Sequence, residues 1–253
     1  MRKAEIDKIR GFTIIELLVV ISILAILTGL LIPVLQRARL KGLDAHCMSN
    51  LRQLSLAGQM YWDDNNGQAF SYRGNSLNGG NTYWFGWLGR GGEGKRRFDV
   101  SKGVLYKYIK NNSIQTCARL DYINDKFKLK ATGAAYGYGY NLHLDGGSSL
   151  KPVVITSLSS PSTVAFLADA AQVNTFQSPA SKTNPMIEEF YYVNNREQTA
   201  HFRHNKESYV AFCDGRVELV GFSSGSIDHR LPEQWIGRLP SKVLLLKTFI
   251  ENN

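Results

Sequence analysis

The chain is short of the features that most enzyme classes require. Its three cysteines, Cys47, Cys117 and Cys213, contain no C-x-x-C pair, and its five histidines form no cluster at zinc-ligand spacing. There is no G-x-S-x-G elbow, no phosphate-binding glycine loop, no H-E-x-x-H helix and no carboxylate pair with a supporting pattern. No catalytic residue, cofactor or metal is therefore expected. No repeat of fixed period runs along the chain, which excludes a solenoid or propeller. Acidic residues are in deficit, with 21 against 30 Lys and Arg, a net charge of +9. That excess permits attraction to nucleic acid, acidic polysaccharide or anionic lipid without choosing among them.

What is present is unevenly distributed. The 253 residues are 43% hydrophobic and 20% charged, an ordinary globular balance with length for one or two modest domains. Residues 12–35, however, form an almost unbroken apolar block, while the remainder is polar, aromatic and glycine-rich. This reads as one membrane-compatible element followed by one soluble domain. Residues 1–10, MRKAEIDKIR, carry Arg2, Lys3, Lys8 and Arg10 against Glu5 and Asp7, which predicts a cytoplasmic N-terminus. From position 12 to 32 there are 21 residues. As a helix they would reach ~31 Å, enough to cross a bilayer core.

A cleaved signal peptide has a shorter apolar core and a small-x-small cleavage site, and neither fits. A plain signal anchor accounts for length and flanking charge but not for Glu16. A carboxylate inside a membrane helix costs roughly 2.5–3.5 kcal/mol, so it needs a partner and a purpose. Read locally, Glu16 complements the N-terminus of its own helix, an effect of about 0.3–1 kcal/mol.

The stretch Gly11-Phe12-Thr13-Ile14-Ile15-Glu16, behind a basic leader and ahead of a long apolar run, resembles the cleavage and methylation motif of type IV pilins and type II secretion pseudopilins. The resemblance implies that a prepilin peptidase cuts after Gly11 and that the new terminal residue, Phe12, is N-methylated. It also implies that Glu16 neutralises the terminal amine of a neighbouring subunit during assembly. Pro33 lies at a depth where such helices often bend; otherwise it simply ends the membrane span.

The helical pattern continues past the apolar block. Leu40, Leu43, Cys47, Leu51, Leu54, Gly58 and Tyr61 recur at intervals of three or four, giving one packing face. The run Asp63-Asp64-Asn65-Asn66-Gly67 is a natural stop, with Gly67 suited to a left-handed cap. Its oxygen-rich composition lacks the acidic spacing of an EF-hand, so a cap is preferred to a calcium loop. The expected organisation is a leader over 1–11, a helix over 12–66 (membrane-spanning 12–32, amphipathic 33–66) and an exported globular domain over 67–253.

Within that domain, strands are predicted at 135–142, 153–155, 163–168, 190–193, 208–213 and 216–222, with a short helix over 104–110. Residues 68–98 show no period and read as a long loop, in which Lys95, Arg96 and Arg97 make a basic, solvated stretch. Asp214-Gly215 between two strand-like runs is a hairpin signal for a type I′ turn. His204 lies ten positions before Asp214, and this His-x9-Asp-Gly spacing resembles the C-terminal signature of a large group of bacterial pilin-like proteins. Cys47 with Asn50-Leu51-Arg52-Gln53, Thr116-Cys117, Tyr138-Gly139-Tyr140-Asn141 and Phe166-Leu167-Ala168-Asp169 fit the same resemblance. An exported chain with three cysteines is most simply one disulfide and one free thiol, with Cys47 and Cys117 the candidate pair. Cys213, where the family commonly has a small residue, and Ala118, where it often has proline, leave that pairing open. A six-residue strand would hold His204 and Asp214 about 20 Å apart, so they read as structural positions and not as a dyad. His201 and His204 as a metal pair are set aside, because H-x-x-H on an irregular segment is common by chance. Tyr136, Tyr138 and Tyr140 share one strand face and read as core in preference to a stacking surface.

The resemblance and the helix-then-strands pattern together imply an α+β fold: a long N-terminal helix packed on a C-terminal antiparallel sheet. The implied function is a structural subunit of a type IV pilus or type II pseudopilus, not an enzyme. It would be a single-pass inner-membrane protein with a cytoplasmic leader and an exported domain. The implied partners are the prepilin peptidase, other pilin-like subunits, the inner-membrane assembly machinery and the bilayer. The alternative is a tethered, non-polymerising module that binds polysaccharide or DNA, with the aromatic segment 62–87 as its site.

Overall fold

The computed structural model describes residues 12–74, 76–92, 94–109, 116–131, 133, 136–146 and 151–244. The expected leader, including Gly11, lies outside the described residues. The chain divides into two compact units, Met1–Gly42 and Leu43–Asn253. Helix α1 (Ile14–Asp64) starts in the first and ends in the second.

In the first unit the helix presents its apolar side chains outward on every face. Ile14 is 78% exposed, Leu30 70% and Leu35 67%. A helix that is hydrophobic all round belongs in a core or a membrane, and nothing among the described residues covers it. Among the described residues it is the one helix long and apolar enough to cross a bilayer. Pro33 lies inside the helix, which runs on past it to Asp64. Its missing N–H leaves the Gly29 carbonyl without the usual intrahelical donor.

The second unit is built on the remainder of α1. Cys47, Asn50, Leu51, Leu54, Ser55, Ala57, Gly58 and Trp62 are buried. The face is rotated slightly from the one expected. Leu40 is exposed, Tyr61 is only half-buried, and Trp62 is packed edge-on against Phe166 with ring centroids 5.0 Å apart. Gly58 is needed here, because a Cβ at that position would come within 2.5 Å of the Phe166 ring. The helix stops as its composition predicts: Asn66 and Gly67 take φ of 54° and 75°, and the Gly67 N–H donates to the Trp62 carbonyl at 2.8 Å.

The segment expected to be one long loop contains four short strands. Strands β1 (Ser76–Leu77), β2 (Gly80–Tyr83), β3 (Gly86–Gly89) and β4 (Phe98–Asp99) form an antiparallel meander in chain order. Asn78 and Gly79, both at positive φ, make the two-residue turn between β1 and β2. A short helix, α2 (Tyr106–Ile109), follows.

The main sheet contains β5 (Tyr138–Asn141), β6 (Ala165–Asp169), β9 (Tyr192–Val193), β11 (Glu207–Phe212) and β12 (Val217–Gly221), in the order β12-β11-β6-β5-β9. Its pairings are antiparallel except that β9 runs parallel to β5, so the sheet is mixed where a purely antiparallel one was expected. Gly139 admits that edge strand, since a Cβ there would lie 2.7 Å from the Tyr192 backbone. Two ribbons complete the fold: β7 (Gln172–Asn174) with β8 (Met186–Glu188), and β10 (Ala200–His201) with β13 (Ile236–Gly237), before a last helical turn, α3 (Ser241–Leu244). The strand predicted over 153–155 is absent; Val154 makes an isolated bridge to Gln68 and Ile155–Ser157 is a 3-10 turn. The layout is α+β, a long apolar helix followed by a β-rich domain.

Candidate functional site

At the start of α1, Phe12 is 72% exposed. Thr13 is the residue before the helix, and Glu16 stands three positions on. The Thr13 N–H and the Thr13 hydroxyl each donate to Glu16 Oε2 at 2.8 Å, and the Glu16 N–H donates back to Thr13 Oγ1 at 3.2 Å. This is a capping box, in which two orphan donors of a helix end are satisfied reciprocally. The local role of Glu16 foreseen from sequence is thus the one made within a single chain. The same carboxylate is exposed and sits one turn from position 12.

His204 lies in a different setting, buried at 1% exposure. Its Nδ1 is 2.8 Å from Asp44 Oδ1, its Nε2 is 3.2 Å from Asp169 Oδ2, and Cys117 Sγ lies 3.3 Å from Nε2. Asp44 comes from α1, Asp169 from the end of β6 and His204 from the approach to β11, so three elements meet on one ring. Asp169 also accepts from Arg203 Nη2 at 2.8 Å and from the Tyr209 N–H at 2.8 Å. Burial alone would raise the Asp169 pKa, but the Arg203 charge and the hydrogen bonds from His204 and Arg203 outweigh it, and the group is held below its ordinary range. Arg119 Nε lies 3.1 Å from Asp44 Oδ1. Cys47 and Cys117 are joined as a disulfide against this cluster, and Cys213 is a buried free thiol.

His201 makes no common site with His204. Its Nδ1 faces Arg203 Nη1 at 3.2 Å, and burial followed by the Arg203 charge pushes its pKa well down. Asp214 is at the far end of β11 and caps the turn by accepting from the Arg216 N–H at 3.0 Å. The turn is not type I′. Only Gly215, at φ 94°, is in the left-handed region, and Phe212 N–H donates to the Arg216 carbonyl at 2.8 Å across a three-residue loop. That is a type I turn followed by a glycine bulge, the next commonest hairpin connection.

In the aromatic segment 62–87, Trp62, Trp84 and Trp87 are buried. Tyr136, Tyr138 and Tyr140 are buried as well, and the Tyr140 hydroxyl donates to the Phe70 carbonyl at 2.8 Å. In the basic stretch, Lys95 and Arg97 are exposed. A cavity of about 390 Å³ lies elsewhere, lined by Arg119, Asp121, His201, Lys206, Glu233 and Trp235 among others. Sequence reasoning missed Asp44, Arg119, Asp169 and Arg203 as the surroundings of His204. It also missed a second buried charged group, Glu188 with Lys128 at 2.8 Å and Lys130 at 3.1 Å. The signal available was weak: charged residues at positions that pattern alone assigns to a core.

Residues 6–32 match the family described as "Prokaryotic N-terminal methylation motif". Over 57 residues the chain is 46% identical to the type IV wide pilus major component PilA4 of Thermus thermophilus, a stretch covering 22% of this chain and 44% of that relative. The chain thus spans less than half the length of the curated relative it matches. No solved structure matches. The chain carries a prepilin-type N-terminal methylation motif and is similar, over that short stretch, to a type IV pilin.

Proposed function

We propose that this chain is a membrane-stored subunit of a type IV pilus or type II pseudopilus. The observation that carries the reading is the methylation motif at residues 6–32 running into a helix whose apolar side chains have no cover among the described residues. Lipid covers such a surface in the stored form, and neighbouring helices cover it in a filament. In this reading the peptidase cleaves between Gly11 and Phe12, Phe12 is N-methylated, and its new ammonium takes the Glu16 carboxylate of an adjoining copy. That exchange replaces the hydrogen bonds from Thr13 with one in which donor and acceptor are both charged, which is stronger in surroundings of low dielectric. Pro33 is the position at which the helix yields during packing, because the Gly29 carbonyl there is already unpaired. The leader over 1–11 would stay in the cytoplasm and the domain would be exported.

Mass spectrometry of the chain recovered from its native membrane tests this reading. The mature form should begin at methylated Phe12; a terminus at Met1 in cells that possess the peptidase would overturn it.

A further inference from the structure

The geometry points to a second use of the disulfide region: once Cys47–Cys117 is reduced, Cys47, Cys117, His204 and Asp169 form a tetrahedral site for a thiophilic divalent cation such as Zn²⁺. Cys47 Sγ, Cys117 Sγ and a ring nitrogen of His204 lie within 4.8 Å of one another, and all three residues are buried. Tetrahedral zinc holds sulfur at ~2.3 Å and nitrogen or oxygen at ~2.0–2.2 Å, so neighbouring ligand atoms stand about 3.3–3.8 Å apart. Two edges of that tetrahedron are already near this size. Cys117 Sγ to His204 Nε2 is 3.3 Å, and His204 Nε2 to Asp169 Oδ2 is 3.2 Å. The sulfur–sulfur edge opens by rotation of the two side chains when the bond between them is broken.

The shell behind these ligands also suits a metal. A ligating histidine gives its lone pair to the ion from one nitrogen and donates the other N–H to a carboxylate, which fixes ring and tautomer. Here Nε2 faces the sulfurs and Nδ1 faces Asp44 Oδ1 at 2.8 Å, while Arg119 holds that carboxylate at 3.1 Å. Asp169 is oriented by Arg203 and by the Tyr209 N–H, both at 2.8 Å. The Tyr209 ring meets the imidazole edge-on at 4.5 Å and limits its rotation.

The chemistry balances with a dithiol as reductant. The dithiol gives two electrons and two protons, the Cys47–Cys117 bond breaks, two thiols form, and the reductant leaves as its own disulfide. The cation then displaces both thiol protons, and the Nε2 proton through which His204 meets Asp169, to solvent, and binds two thiolates, the freed His204 Nε2 lone pair and an Asp169 oxygen. The oxidised chain cannot bind it, because its sulfurs are occupied with each other.

Cobalt(II), which reports thiolate ligation by charge-transfer absorption, tests the site on the full-length chain in detergent. The expected result is one Co²⁺ per reduced chain with that absorption, displaced by Zn²⁺, and none in the oxidised chain. Asp44→Asn, which removes only the carboxylate behind His204, should weaken affinity about 10–100-fold. Cys213→Ser should leave binding unchanged. The proposal is overturned if the reduced chain, with its near-ultraviolet circular dichroism intact, shows no charge-transfer band. It is equally overturned if His204→Ala binds like the parent, if Cys213→Ser abolishes the band, or if reduction alone unfolds the domain.

Discussion

Glu16 Oε2 accepts from both the Thr13 N–H and the Thr13 hydroxyl at 2.8 Å, so within one chain the carboxylate already has a partner. Two roles for Glu16, capping its own helix and pairing with a neighbour's amine, therefore separate by mutation. Thr13→Ala removes half the capping box at a cost of about 1 kcal/mol to the helix end but leaves the carboxylate in place. Glu16→Ala removes both functions. Filament counts by electron microscopy should be near normal for Thr13→Ala and strongly reduced for Glu16→Ala; equal loss in the two would reduce Glu16 to a cap.

Gly58 and Gly42 make a matched pair on α1. Alanine is favoured over glycine in a helix by about 1 kcal/mol. At Gly42 an added Cβ meets nothing within 4 Å, so Gly42→Ala should hold or raise the melting temperature. At Gly58 the same carbon would sit 2.5 Å from Phe166, and overpacking of this kind costs roughly 1–3 kcal/mol. The clash outweighs the propensity gain, so Gly58→Ala should melt lower than the parent; a higher melting point would show that the helix can lift off Phe166 freely.

The Cys47–Cys117 disulfide joins residues 70 apart in sequence. On the chain-entropy account a closed loop of that size stabilises by about 4 kcal/mol. The double variant Cys47→Ser with Cys117→Ser should lose close to that amount in urea denaturation, and a loss below about 1 kcal/mol would mean that the reduced chain is already held by other contacts.

Glu189 gives the domain a predictable response to pH. It accepts from the Tyr136 N–H at 3.0 Å and the Tyr122 hydroxyl at 3.1 Å, yet burial raises its pKa from an ordinary 4.5 to about 7. The folded state thus binds this proton more tightly than the unfolded one. Its contribution is complete below pH ~4.5 and is lost as pH rises toward ~7, a change of about 3 kcal/mol at most. Glu189→Gln should flatten that part of the stability profile and be the more stable form at pH 8. An unchanged slope between these limits would place the titration elsewhere.

Much of this was legible in the order of residues. The apolar block, the Asn-Gly stop after α1 and the strands around Asp214 all follow from local pattern, which is where sequence carries most information. The environment of His204 did not, because Asp44 lies 160 residues earlier and only the folded chain brings them together. Trp62 displaced Tyr61 from the buried face because its ring meets Phe166 across the helix–sheet contact, a tertiary fact. The meander over 76–99 was within reach: Asn78-Gly79 is a strong hairpin signal. Its flanking strands, one of two residues and one of four, are too short to show alternation. The three-residue loop at Cys213-Asp214-Gly215 in place of a type I′ turn reflects where the pairing closes, at the hydrogen bond from the Phe212 N–H to the Arg216 carbonyl.

The two ends of β11 explain the interval between His204 and Asp214-Gly215. His204 touches Asp44, and Gly215 rests so close to Gln59 that a Cβ would stand 2.8 Å from its amide. Those two partners stand fifteen positions apart on the helix, about 22 Å, and the six residues of β11 cover about 20 Å. The interval is a ruler: one strand laid beside four helical turns with a rivet at each end. Adding a single residue to β11 would carry one rivet past its hole and turn the strand's inward side chains outward, whatever chemistry the two motif residues possess.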